Sequence, residues 1–212
     1  MKRVKQCVSV AFFMFLSLSA AAHPHSFISL QTEAVAENGQ LTGFKMRWTM
    51  DEITSADLLY DAGNAKPGSE IWKKLAAEVM ANVLGQHYFS ELWHNGKRVK
   101  FDNRPDGYGL ERSGHQAVLT FTLPLAKPQP MAGQTFTFST YDPTYYVDMY
   151  YDQDADFTLP TAMTAGCTAK VMTPIPNEKM LSYAQSLDKA DAPPEDMELG
   201  NYFAQKVTLQ CQ

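Results

Sequence analysis

Phe44-Lys45-Met46-Arg47-Trp48-Thr49-Met50 is the stretch that decides the fold. Apolar Phe44, Met46, Trp48 and Met50 alternate with Lys45, Arg47 and Thr49, a period of two that marks a strand with one dry and one wet face. Upstream, Ile28, Leu30, Thr32 and Ala34 alternate more weakly. Asn38-Gly39 lies between the two runs, a dipeptide suited to the positive φ angles of a hairpin turn. A strict two-residue turn throughout would set Phe44 against Glu33, core against charge. One additional residue, in a three-residue loop with Gly39 at positive φ or in a bulge, sets Phe44 opposite Ala34 and Trp48 opposite Leu30. A slip of one flips a whole face, so residues 25–50 are expected to form a hairpin in the second register.

Outward from that hairpin, residues 54–62 and 69–84 read as helices. Ile71, Leu75, Val79 and Val83 recur at four-residue steps, Pro67 and Ser69 mark a start and Gly85 an end. A second hairpin, 87–94 with 97–102, turns at Asn95-Gly96 and sets Leu92 opposite Val99, Glu91 opposite Lys100 and Trp93 opposite Arg98. Residues 117–123 and 135–140 alternate again. In the run from Tyr141 to Asp152, Tyr145, Val147, Met149 and Tyr151 are expected to face a core. Tyr146, Asp148, Tyr150 and Asp152 face a half-wet surface. After Pro174 and Pro176, Asn177 caps a short helix carrying Met180, Leu181, Ala184 and Leu187. A polar linker spans 189–194, a second helix 195–204 ends near Gly200, and residues 207–211 alternate. Many short strands with helices bunched together imply a mainly β (α+β) fold. The expected form is an antiparallel β-sandwich with a helical insertion at about 54–84 and a short helical C-terminal segment. Strand order does not follow from the pattern.

The first 22 residues read differently. Lys2, Arg3 and Lys5 precede an apolar run, 8–18, too short to span a bilayer, and Ser19-Ala20-Ala21-Ala22 offers small residues for a signal peptidase. Residues 1–22 are therefore expected to be a Sec signal peptide, with 23–212 a single periplasmic domain. Ala20 and Ala22 at the −3 and −1 positions leave His23 first; Ser19 and Ala21 leave Ala22 first. A short membrane anchor is the alternative. Without Lys2, Arg3 and Lys5 the 18 basic residues become 15 against 23 acidic ones, and the formal charge moves from −5 to −8. That argues against a nucleic-acid partner. Cleavage also removes Cys7 and leaves Cys167 and Cys211. In an oxidising compartment these are expected to pair, tying the tail, 176–212, back to the β-rich 23–175.

The hairpin register carries chemistry with it. Paired positions that sum to 78 bring position 25 opposite 53, so His25, and His23 beyond it, are expected beside Asp51 and Glu52. Imidazoles with carboxylates, and a free amine if His23 is first, suit a divalent transition metal: zinc, nickel, cobalt or copper. Pro24 lacks an amide N–H, which blocks square-planar binding through deprotonated second and third amides. The plainer reading is that Asp51 and Glu52 start the next helix, where negative charge is favoured. His87, His115, Asp142 and Asp148 are weaker ligand candidates, and His94 reads as a packing residue. Asp152-Gln153-Asp154-Ala155-Asp156 opens like a calcium loop but has Phe157 and Met163 where Gly and Glu are required. Neither a nucleophile elbow, a paired-cysteine redox motif nor a phosphate loop occurs, so no catalytic residue is assigned.

His23-Pro24-His25, Trp48-Thr49-Met50-Asp51-Glu52, Tyr141-Asp142-Pro143-Thr144-Tyr145-Tyr146 and Cys167 together resemble an uncharacterised exported bacterial family. It is a domain of unknown function (DUF family 1007), described as the periplasmic component of an uncharacterised ABC-type transport system. The similarity spans most of the chain after the leader. It implies a metal-linked role beside nickel/cobalt-type permeases and no established catalytic residues. Many members have an acidic, glycine-rich stretch where this chain has Asp61-Ala62-Gly63-Asn64-Ala65-Lys66, so a second, calcium-like site is not expected. The leading expectation is a periplasmic accessory that binds a divalent transition metal and serves a membrane metal permease or ABC transporter. The alternatives are a non-metal ligand-binding or structural module using Tyr146, Tyr150 and Trp93, and a copper oxygenase joining His23 to His87 or His115.

Overall fold

The computed structural model describes residues 24–187, 193–194 and 197–212. The leader, His23 and most of the polar linker lie outside these residues. Strands β1 (Ser26–Glu37) and β2 (Gln40–Met50) form the expected hairpin. Asn38 and Gly39, at φ 51° and 75°, make a two-residue turn. The ladder starts at Glu37 with Gln40 and Ala36 with Leu41, then shifts by one residue at a bulge. Past the bulge Ala34 pairs with Phe44, Leu30 with Trp48 and Ile28 with Met50, and these four inner residues of the first two pairs are essentially buried. The bulge is what reconciles a tight turn with a dry face. Gly43 follows it, and a Cβ there would come within 2.5 Å of the Leu123 carbonyl oxygen.

The first sheet runs in the order β5 (Tyr108–Ser113), β6 (Gln116–Pro130), β2, β1, β8 (Val147–Tyr150), with β9 (Phe157–Thr158) also pairing with β1. The second runs β10 (Cys167–Met172), β11 (Lys206–Cys211), β7 (Thr135–Thr140), β3 (Ser90–His94), β4 (Lys97–Val99). Their inner faces meet where Phe44 stacks on Phe138 with ring centroids 4.3 Å apart. Most ladders are antiparallel, but β8 and β9 pair with β1 in parallel. The fold is thus mainly β, two mostly antiparallel sheets with helices added.

Helices α1 (Glu52–Ala62) and α2 (Glu70–Gly85) fill the expected insertion and lie against β6 and β5. The buried face of α2 is Trp72, Leu75, Ala76, Met80 and Val83, while Ile71 is half exposed. Four-residue steps drift by about 40° each on a helix of 3.6 residues per turn, so Ile71 falls off the face that Val83 occupies. The second hairpin keeps its register, Leu92 with Val99 and Trp93 with Arg98. Its first strand is shorter than expected. His87, Tyr88 and Phe89 form a 3₁₀ turn in which all three residues have positive φ, so His87 is not the start of a strand. Such backbone costs about 1–2 kcal/mol per non-glycine residue. It is held by the Tyr88 hydroxyl, which donates to the Asp102 carbonyl at 2.9 Å, and by Tyr141 N–H to the Phe89 carbonyl at 2.7 Å.

The C-terminal segment is only partly helical. A short helix, α3 (Thr161–Thr164), precedes β10, and α4 (Glu178–Ser186) follows it, with Asn177 Oδ1 accepting from Met180 N–H at 3.0 Å. Of the helix expected over 195–204, residues 195 and 196 lie outside the described residues, and a 3₁₀ turn covers Leu199–Tyr202. Strand β11 lies between β10 and β7, inside the sheet, so the tail completes the sandwich. Cys167 and Cys211 are disulfide-bonded and occupy paired positions of β10 and β11. Closing this 44-residue separation contributes about 4 kcal/mol in the chain-entropy account. A small second cluster joins Ala184, Leu187 and Leu199 to Tyr145 and Phe203, whose rings stack at 3.9 Å. Among the described residues no helix is long and apolar enough to cross a membrane.

Candidate functional site

One end of the sandwich collects most of the candidate residues. It comprises the head of β1, the end of β2, the head of β8 and the tip of the β5–β6 hairpin. Asp51 sits where β2 becomes α1, and its carboxylate is well used. Oδ1 accepts from Thr54 N–H at 2.8 Å, and Oδ2 accepts from Phe27 N–H and from the Thr54 hydroxyl, both at 2.7 Å. The Thr54 hydroxyl has one hydrogen, given to Asp51, so in the 2.6 Å contact between the Ser26 and Thr54 hydroxyls Ser26 is the donor. Asp51 therefore caps α1 and fastens the head of β1 to it. Burial acts to raise its pKa, but the hydrogen bonds from Thr54 and Phe27 outweigh that and hold it below the ordinary 3.8. Glu52 is exposed in the first turn of α1.

The register extrapolation to position 53 does not survive this turn. The β1–β2 pairing ends with Asp51 N–H donating to the Phe27 carbonyl at 2.9 Å, after which the chain becomes helical and Ile53 points to solvent, 84% exposed. His25 finds its neighbour on the other side. Its N–H donates to the Tyr146 carbonyl at 2.9 Å, and its ring lies 5.0 Å from that of Tyr146. Parallel pairing continues with Ser26 to Val147 and Phe27 to Asp148. His25, Phe27, Tyr146 and Asp148 thus share the outer face of the sheet. Asp148 is about 7 Å along the strands from the His25–Tyr146 pair. Burial raises the Asp148 pKa. The phenol of Tyr145 is pushed up to about 12, first by burial and then by Asp148. The pKa of Tyr150 is raised first by burial and then by the negative charges of Asp152, Asp148 and Asp51.

The remaining candidates are dispersed. Asp142 is buried, and its carboxylate accepts from Thr144 N–H and hydroxyl at 2.9 Å and from Val147 N–H at 3.0 Å. It folds the loop that leads into β8. Gly200 packs so tightly on that loop that a Cβ would run into the Asp142 carbonyl oxygen. His115 is exposed at the β5–β6 turn. The neighbouring Gln116 donates to the Met50 carbonyl at 3.0 Å, which sets this turn at the same end as Asp51 but beyond β2. His87 lies in the left-handed turn before β3, and His94 packs on Phe136 at 4.6 Å with Nε2 2.7 Å from Gln134 Oε1. Trp93 lies on β3 of the second sheet and Tyr150 on β8 of the first. In the acidic run 152–156, Asp154–Asp156 form a 3₁₀ turn with a capping box between Gln153 and Asp156. Among the described residues no three His, Cys, Asp or Glu side chains form a group that could hold a metal ion. His23 lies outside those residues. Asp148, weak from sequence, is the carboxylate nearest His25 along β8; only the parallel pairing of β8 reveals it.

A family model described as "Protein of unknown function (DUF1007)" matches residues 8–211. A protein of Haemophilus influenzae, described as uncharacterized, is 42% identical over 207 residues, which covers 96% of this chain and 98% of that one. No solved structure matches the chain.

Proposed function

Taking as premise that the chain belongs to the DUF1007 family of proteins of unknown function, we propose that it is an exported accessory protein that binds one divalent transition metal at the head of β1 and passes it to or from a membrane permease or ABC transporter. The observation that carries the reading is the placement of His25. The backbone anchors it on β8, and Asp148 follows on the same face. An imidazole and a half-buried carboxylate about one strand repeat apart are two donors of the kind zinc, nickel, cobalt and copper take. His23, two residues ahead, supplies the third donor, and the amine beside it a fourth where cleavage follows Ala22. Asp51 contributes by fixing β1 to α1, and Glu52 by adding negative potential at the rim.

Two features support the setting. The Cys167–Cys211 disulfide fits an oxidising compartment, and the basic, apolar and small residues of 1–22 suit a cleaved leader. The charge on Asp148 is disfavoured by burial, a cost that a bound cation offsets. No catalytic role is proposed. The test is metal analysis of untagged protein isolated from the periplasm. One zinc, nickel, cobalt or copper ion per chain is expected, with binding that weakens below about pH 6, where imidazole ordinarily takes up a proton. Protein that binds none of the four ions at neutral pH refutes the reading.

A further inference from the structure

Between the second sheet and the C-terminal 3₁₀ turn lies a cleft of about 540 Å³, within the usual range for small-molecule sites. Leu92, Phe138 and Val207 are wholly buried in the core, so their neighbours Glu91, Trp93, Ser139 and Lys206 point outward into the cleft. Glu91 pairs with Ser139, and Ser139 with Lys206. A carboxylate, a hydroxyl and an ammonium thus follow one another across β3, β7 and β11 at intervals of about 5 Å. The turn at Leu199–Tyr202 makes the wall. Gly200 N–H donates to the Pro143 carbonyl at 3.0 Å, and the missing Cβ lets Gly200 sit on the Asp142 carbonyl. Glu198, just before the turn, lines the cleft from that side. Ser139 is only 4% exposed although it faces outward, so this is an enclosed hollow and not an open sheet face.

The polar groups of the cleft divide into those already used and those left over. Glu91 is used: Trp93 Nε1 donates to it at 3.0 Å and Arg98 pairs with it at 3.1 Å. The Tyr141 phenol is turned toward it as well, its pKa raised first by burial and then by the charges of Glu91 and Glu198. The Ser139 hydroxyl is left over. It is buried, lines the cleft and has no hydrogen-bond partner among the described residues, a state that buried polar groups rarely keep. Lys206 and Glu198 are left over too, each in the lining and neither in an ion pair among the described residues. With Arg98 and Glu91 cancelling, the cleft is neutral overall but offers one free positive and one free negative charge. Glu198 is also held at φ 45° and ψ 48°, a left-handed conformation that costs any residue but glycine and that clusters at ligand clamps. A simple anion meets Glu198 and a simple cation meets Lys206, whereas a molecule carrying both charges satisfies both. The Trp93 ring, 40% exposed, offers an apolar surface beside them. We infer that this cleft binds a zwitterion, an α-amino acid or short peptide with an apolar side chain. Its carboxylate sits between Lys206 and the Ser139 hydroxyl, its ammonium faces Glu198, and its side chain lies on Trp93.

The test is NMR of the isotope-labelled protein titrated separately with leucine, phenylalanine and leucyl-leucine. At least one is expected to shift the Trp93 indole N–H and the amides of Ser139 and Lys206 with a Kd below about 1 mM. Comparing leucine with leucyl-leucine distinguishes a free amino acid from a peptide. Phenethylamine, which lacks the carboxylate, and hydrocinnamate, which lacks the ammonium, are each expected to bind about tenfold or more weakly than phenylalanine. Lys206→Gln and Glu198→Gln alter exposed side chains, keep the fold, and are each expected to weaken zwitterion binding by about the same factor. Three results overturn the inference: no shift at these positions with any of the three ligands, phenethylamine or hydrocinnamate binding as tightly as phenylalanine, or wild-type affinity in both folded charge variants. Metal binding at His25 is a separate readout and stands or falls independently.

Discussion

Replacing Asp51 with alanine tests how the head of β1 is built. The change removes the α1 cap, worth about 1 kcal/mol, and leaves Phe27 N–H without its charged acceptor, worth about 1.5–3 kcal/mol in a protected setting. Phe27 is 42% exposed, so water replaces part of the second contribution. The expected total is about 2 kcal/mol, a fall in Tm of roughly 4–8 °C for a domain of this size. Urea unfolding of the oxidised protein at pH 7 measures it, with Glu52→Gln as the control. Glu52 is exposed, and that variant should stay within about 0.5 kcal/mol of wild type. Asp51 titrates below its ordinary 3.8 in the folded state, so the unfolded chain binds the proton more readily. Its contribution is complete above 3.8 and is lost as pH falls through the lower, folded value. The gap between wild type and Asp51→Ala should therefore narrow in acid below 3.8. A loss under about 0.5 kcal/mol, or one no larger than that of Glu52→Gln, refutes the assignment of Asp51 as cap and clamp.

Asp148 has the opposite sign. Burial raises its pKa, so the folded state holds the proton more readily and stability falls as pH rises above 3.8 through the folded value. Asp148→Asn should raise the metal-free urea midpoint at pH 7 and lose that advantage below 3.8. Gly200→Ala drives a Cβ into the Asp142 carbonyl and should cost about 1–3 kcal/mol by thermal denaturation, more than Gly85→Ala, where the space is open. Replacing both Cys167 and Cys211 with alanine should cost up to about 4 kcal/mol and lower the Tm measurably under non-reducing conditions.

The hairpin was the most legible part of the fold because its register is enforced by burial. Moving Phe44 or Trp48 by one position would put an aromatic ring in water, and the bulge at the turn is the concession that avoids it. Strand direction was not legible. Period-two alternation in Tyr145–Tyr151 is the same whether β8 runs parallel or antiparallel to β1, and the choice depends on the long connection between them. The left-handed turn at His87–Phe89 carries no glycine to announce it, so those residues looked like ordinary strand. The interior position of β11 was hidden for a similar reason: pairing with β7 spans some 70 residues of chain. Within the site, Asp51 carried a readable sign, an aspartate three residues before Thr54 at a strand-to-helix change. Asp148 carried none, since its relation to His25 exists only through the parallel ladder.

The most direct test of the metal proposal is calorimetric titration of untagged, chelator-treated protein from the periplasm with zinc, nickel, cobalt and copper, beside His25→Ala. The account predicts one equivalent bound by the wild type and affinity lower by roughly tenfold or more in the variant, with its urea midpoint within about 1 kcal/mol of wild type. Wild-type affinity retained by a folded His25→Ala protein would contradict it.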